Sequence, residues 1–180
     1  EINEAVVQGL LARMYIYTGN WPAAEKAASN AIKLSGASIM TEEQWMDPKI
    51  GFNSIDNNSW IWGIKITSDD RVVTTGICNF VSFMSPETTY GYAQYGGFMS
   101  TKQIDKNLYD QIPDTDWRKK SWLDPDRKKF EYKFVHAPEY YEKMPNYSAL
   151  KFRPNDGEGK EFMVGSAADF PVMRVEEMYL

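Results

Sequence analysis

Aspartates recur at alternate positions twice in this chain, as Asp114 and Asp116 and again as Asp124 and Asp126. That spacing lets two side chains converge from one loop on a hard cation. Neither pair carries the remaining ligands of a calcium loop, and Arg118 and Arg127 stand near enough in sequence to take the acids as local ion pairs. Paired acids also hydrolyse glycosides, but only at a set separation across a cleft, which spacing alone does not fix. A different chemistry lies in the run from Thr88 to Phe98, where Tyr90, Tyr92 and Tyr95 alternate with Gly91, Gly96 and Gly97. Glycines let backbone approach closely, and a rigid phenol with a polar tip suits the flat C–H face and hydroxyl rim of a sugar. Asn79, Gln94 and Asp70 are candidate rim groups, and Trp122, beside Asp124-Pro125-Asp126-Arg127, is a further candidate ring. The same rings would equally fill gaps beneath an irregular loop.

Signals for catalysis are thin. The chain has no serine elbow, no His-Glu-x-x-His helix, no complete phosphate loop and no paired-cysteine motif. Gly157-Glu158-Gly159-Lys160 lacks the Ser or Thr that a phosphate loop needs after its lysine, since Glu161 follows. His136, the one histidine, has no nucleophile or cysteine at a recognisable spacing and is read as structural or superficial. Cys78, the one cysteine, permits no internal disulfide and leaves the redox compartment open. Twenty basic residues against 25 acidic ones give a formal net charge of -5, with no basic stripe to neutralise a phosphate backbone. Nucleic acid is therefore excluded as the expected partner. No metal or other cofactor is expected, and no segment has the length and apolarity of a membrane span.

The elements that must position these groups begin with a helical hairpin. Ile2, Ala5, Gly9, Ala12 and Ile16 share one helical face and Leu10, Met14 and Thr18 a second, which implies a helix packed on two sides. Gly19 suits a left-handed C-cap, Asn20 can cap the next helix, and Pro22 falls in a first turn. Ala24, Ala27 or Ala28, Ala31 and Ile32 then form the second helix's inner side. Its small residues and turn make this a tetratricopeptide-type unit over 1–36, with Trp21 as the large residue seating the turn, and such a unit needs neighbours to bury both faces. Further on, Thr41 caps a short helix ended by Asp47-Pro48, and Trp60 to Ile66 has a strand's period, with Ile61 breaking the alternation. Trp60 and Trp62 are read as core. Ser100 to Asp110 is a capped helix with Ile104 and Leu108 inward, and Asp114 to Arg118 a short turn or loop. Phe130 to Phe134 alternates like a strand and is a partner for Ser148 to Phe152. The last residues, Arg174 to Leu180, start a further helix, so the chain is read as an internal slice of a larger protein.

Five blocks together resemble the central part of SusD/RagB-family proteins, the surface-exposed nutrient-binding lipoproteins of Bacteroidetes. They are Gly9 to Tyr15 with Thr18-Gly19-Asn20-Trp21 and the Ala24 and Ala28 register; Asn58 to Ile64; Ser100 to Tyr109; Asp116-Trp117-Arg118-Lys119-Lys120; and Asp169 to Leu180. The resemblance implies a mainly α fold in which tetratricopeptide-like hairpins support a loop-rich region with short strands. The whole of 1–180 would then be the internal part of one SusD-like domain: a hairpin over 1–36, an irregular ligand-binding region over 37–168 and the start of another repeat helix over 169–180. It implies a protein held outside the outer membrane by an N-terminal lipidated cysteine beyond this slice, which Cys78 is not. It further implies capture of an oligosaccharide or a peptide nutrient and its delivery to a SusC-like TonB-dependent transporter, without catalysis. Arg174 and Glu176 or Glu177 carry over as structural residues that fix helix entry, not as ligand contacts. The alternative is a tetratricopeptide module that binds protein or peptide in its groove, which calls for an exposed polar and aromatic stripe along the first helices. A glycosidase is the third reading, and it calls for two carboxylates facing each other across a ring-lined cleft.

Overall fold

The computed structural model describes residues 1–47, 50–52, 54–67, 69–70, 102–132, 144–152 and 168–180. These are mainly α-helical, with one two-stranded sheet. The hairpin forms as the sequence predicts, with α1 at Glu4–Tyr17 and α2 at Trp21–Ser35. Asn3 caps α1 by accepting from the Val6 N–H at 3.1 Å, and Asn20 caps α2 by accepting from the Ala23 N–H at 3.4 Å. Between them Gly19 takes φ 71°, a left-handed turn that a side chain would strain.

The seam between the two helices is made of small residues, Ala12, Ala27 and Ala31, with Leu10, Tyr15, Ala28 and Ile32 around them. Gly9 does not belong to that seam. A β-carbon there would lie 2.2 Å from the Met173 sulfur, so Gly9 is where α1 meets the sheet. Cover over α1 reaches Ala5, Val6, Gly9 and Ala12 and stops there. Ile2, Ile16 and Met14, expected to face inward, are consequently exposed, and Trp21 is exposed at the start of α2 rather than seated beneath the turn.

The sheet pairs β1, Trp60–Ile64, with β2, Phe170–Arg174, antiparallel. Trp60 is buried and Trp62 packs half-buried against the hairpin core, as expected of core residues. Register shifts either side of Trp62 explain the broken alternation: a bulge turns Ile61 toward the same core as Trp62. Ile64 ends up exposed. The strand nature of β2 is not evident from its sequence, because Pro171 sits inside it. A two-stranded sheet has only edge strands, where a missing N–H is tolerated. Asp169, just before β2, accepts from the Ile55 and Ile66 N–H groups at 2.8 Å each and so ties both ends of the β1 segment together.

Helix α3, Glu42–Met46, has the reciprocal capping box of Thr41 and Gln44. Helix α4 is shorter than predicted, Lys106–Gln111, and is capped by Asp105. It buries Tyr109 and leaves Leu108 in solvent, the reverse of the predicted face. The Tyr109 hydroxyl donates to the buried Asp124 carboxylate, and in a six-residue helix one such bond outweighs a single leucine contact. A 3-10 helix follows at Trp117–Ser121, capped by Asp116. The predicted pairing of the Phe130 segment with Ser148 to Phe152 is not made by the described residues. Ser148 and Ala149 bridge Gln103 and Trp122 instead, while Phe130 and Tyr132 pack as loop residues on Leu123, Met144 and Leu150. After β2 the chain enters α5, Val175–Met178, which packs on α2.

Candidate functional site

A polar hollow opens between α4, the 3-10 helix and the loops at 124–129 and 147. It has a volume of about 660 Å³. Its floor is fixed by Lys119, whose side chain is buried although lysine normally seeks solvent. The ammonium donates to the Ile112 carbonyl at 2.7 Å and to Asp114 at 2.9 Å, and lies 4.6 Å from the centre of the Tyr109 ring. Lys129 donates to the same Asp114 oxygen at 2.9 Å from the other side. Hydrogen bonds from these two lysines hold the Asp114 carboxyl below the usual carboxylate range. Burial, and then the bond to Asp124, push the Tyr109 phenol upward, so it is a fixed proton donor.

Around this floor stand groups with spare hydrogen-bonding capacity. Asp126 is exposed, and Asp110 pairs with Lys106 at the α4 surface. Tyr147 is half-buried, with its ring edge-on to Tyr109 at 5.2 Å. It has φ 66°, an uncommon backbone for a residue with a side chain, held by bonds from its N–H to the Leu123 carbonyl and from the Ile104 N–H to its own carbonyl. Strain of this kind collects at ligand-binding surfaces. Two rings, four carboxylates and two ammonium groups around one opening can accept and donate to a polyhydroxylated ligand while offering it an apolar face.

The sequence-predicted acids therefore come together in part. Asp114, Asp124 and Asp126 line this hollow, whereas Asp116 folds back on Arg118 at 2.6 Å, the ion pair its spacing suggested, and bonds from Arg118 depress its pKa. Arg127 donates to the Asp124 carbonyl at 2.6 Å and the Met144 carbonyl at 2.7 Å and so buttresses the loop. No cluster of metal-ligating side chains occurs among the described residues. Trp122 is half-buried, pairs with Ala149 through its backbone and does not line the hollow. Asp70 is exposed and accepts from the Thr67 N–H at 2.6 Å and hydroxyl at 3.1 Å, closing a local turn. Tyr90, Tyr92, Tyr95, Asn79 and Gln94, together with Cys78, His136 and Gly157 to Lys160, lie outside the described residues. Lys119, Lys129 and Tyr147 escaped sequence reasoning. The signal that could have found the lysines is the excess of cationic side chains, lysines and arginines together, spaced among these same acids.

The chain-terminal acids act as expected of structural residues. Glu177 accepts from Arg13 of α1, with Nη2–Oε2 at 2.6 Å, and Glu176 accepts from the Met40 N–H at 2.9 Å. Neither protein-family models nor curated proteins give a match to this chain.

Proposed function

We propose that this chain is part of a SusD/RagB-type nutrient-binding protein that captures oligosaccharide at the cell surface and passes it to a SusC-like TonB-dependent transporter without breaking bonds. The observation that carries the reading is the hollow at 109–147, where rings and charged rims converge; it falls within 37–168 but outside the 69–98 loops that the sequence reading favoured for ligand. It supports the reading because the surface is irregular and rich in hydrogen-bonding groups, and its floor is held by Lys119 and by the Tyr109–Asp124 bond. The carboxyls with displaced ionisation, Asp114 and Asp116, are both pushed downward. A glycosidase's general acid needs the opposite shift, so binding is favoured over hydrolysis at these positions.

A glycan array probed with the full-length protein tests the reading. Tyr147→Gly relieves the left-handed backbone while removing the ring, and Asp126→Asn removes one rim charge; each is expected to weaken binding by about five- to tenfold without loss of folding. Alanine at Tyr90, Tyr92 and Tyr95 tests the second aromatic platform. No binding to any glycan on the array overturns the proposal. The groove-binding alternative called for an exposed polar and aromatic stripe along the first helices; Tyr17 and Trp21 are exposed at the turn, while the outward face of α1 exposes Val7, Leu11 and Met14. An apolar stripe of that spacing suits packing in a helical stack more than recognition of a polar peptide.

A further inference from the structure

On the other side of the fold, Lys151 and Arg174 flank a cavity of about 270 Å³ walled by Phe52, Phe152 and Pro171. No described residue accepts a hydrogen bond from the Lys151 ammonium, which lies 4.4 Å from the Phe52 ring centre and 5.4 and 5.6 Å from those of Trp45 and Phe152. The Arg174 guanidinium stands 4.8 Å from the Phe52 ring, and its buried Nη1 has no hydrogen-bond partner among the described residues. One carboxylate faces them: Glu176, whose Oε2 forms a loose ion pair with Arg174 Nη1 at 3.6 Å and, like that nitrogen, is buried without a hydrogen-bond partner among the described residues, while its Oε1 takes the Met40 N–H. Glu177 also lines the cavity but is engaged by Arg13. The site thus holds two cations against one available acid. Burial and the neighbouring Arg174 bring the Lys151 pKa down to about 8.

We infer that this cavity takes the carboxylate of an acidic sugar residue, with Lys151 and Arg174 as its donors and the half-buried Phe152 ring against the sugar's C–H face, while the fully buried Phe52 ring backs the two cations. The inference rests on the glycan reading above and names the ligand class. Buried cations short of acceptors are costly, and an incoming carboxylate supplies acceptors and charge. The Phe152 wall favours a sugar ring over an acidic peptide side chain, and the volume admits one residue rather than an oligomer. Arg174 retains its position at the entry to α5, so its structural role and this one coincide.

Titration of the full-length protein with glucuronate, glucose and an N-acetylated, amidated aspartate, followed by calorimetry, tests the inference. Saturable glucuronate binding, with glucose and the aspartate at least about tenfold weaker, is expected. In Lys151→Met, glucuronate affinity falls by about tenfold or more, and thermal melting verifies that the variant is folded. Absent glucuronate binding, unchanged affinity in Lys151→Met, or equal binding of the aspartate each overturns it. A neutral-glycan array run alongside separates the outcomes: if neutral glycans still bind at the 109–147 hollow, only this second site fails.

Discussion

Gly9 is the position at which a single carbon decides whether α1 can meet β2. Its absent β-carbon would fall on the Met173 side chain, which is itself buried. Alanine there forces the thioether aside, and Gly9→Val adds branching that the gap cannot take. A loss of about 1–3 kcal/mol in denaturant-derived stability is expected for the valine variant. Lys151 makes the opposite case, a residue whose removal helps. Its pKa is lowered from 10.5 to about 8 in the folded chain, so below pH 8 it is charged in both states and the fold bears the cost of that buried charge. As pH rises from 8 to 10.5 the unfolded chain binds more protons than the folded one, and the cost is relieved. Lys151→Met should therefore raise stability by about 2 kcal/mol at pH 7, and the gain over the parent should vanish above pH 10.5 when melting curves are compared across that range.

Among the elements, those specified by neighbours in sequence were legible and those specified by distant partners were not. Gly19, Asn20 and Pro22 mark the α1–α2 turn within four residues, and the Thr41–Gln44 box marks α3 in the same way. Asn20→Ala removes one side-chain acceptor at the start of α2 and should cost about 1 kcal/mol, read from urea unfolding. The strand β2 escaped notice because its pairing partner lies across the chain and its proline argues locally against it. The face of α4 was misassigned because periodicity has little force in six residues, where the bond of Tyr109 to Asp124 decides orientation. The candidate site divides likewise. Its acids were visible as a pattern, and the Asp116–Arg118 pair followed from spacing, but Lys119 and Tyr147 owe their roles to burial and to backbone conformation. Lys151 stood within a segment read simply as a strand, and nothing local marks it as an unpaired cation.

Across the whole molecule, two apolar clusters are visible in the described residues, one under the hairpin and sheet and one around Leu123 and Leu150. The link between them is aromatic and polar: the Trp45 indole donates to Ser121 Oγ at 2.6 Å, its ring meets Trp117 at 5.1 Å, and Glu42 pairs with Lys120. Trp45→Phe removes the indole donor and should cost about 1 kcal/mol. Native-state hydrogen exchange should show protection falling more at Leu123 and Leu150 than at α1 and α2, because the hairpin keeps its own cover. Asp169 works on the hairpin side of that divide. Asp169→Ala leaves the Ile55 and Ile66 N–H groups without their acceptor and should cost about 2 kcal/mol or more in thermal or urea unfolding.

The clasp of Arg13 by Glu177 joins groups 164 positions apart. On the ribosome α1 and α2 emerge well before Met173 and Met178, which cover their apolar side and appear only after roughly ten to thirty seconds of further elongation. Throughout that interval the nascent hairpin presents sticky surface to the surrounding medium. Residues 170–178 therefore act as the closing latch of maturation, and holding chaperones should associate with ribosome-bound chains until that latch has been synthesised.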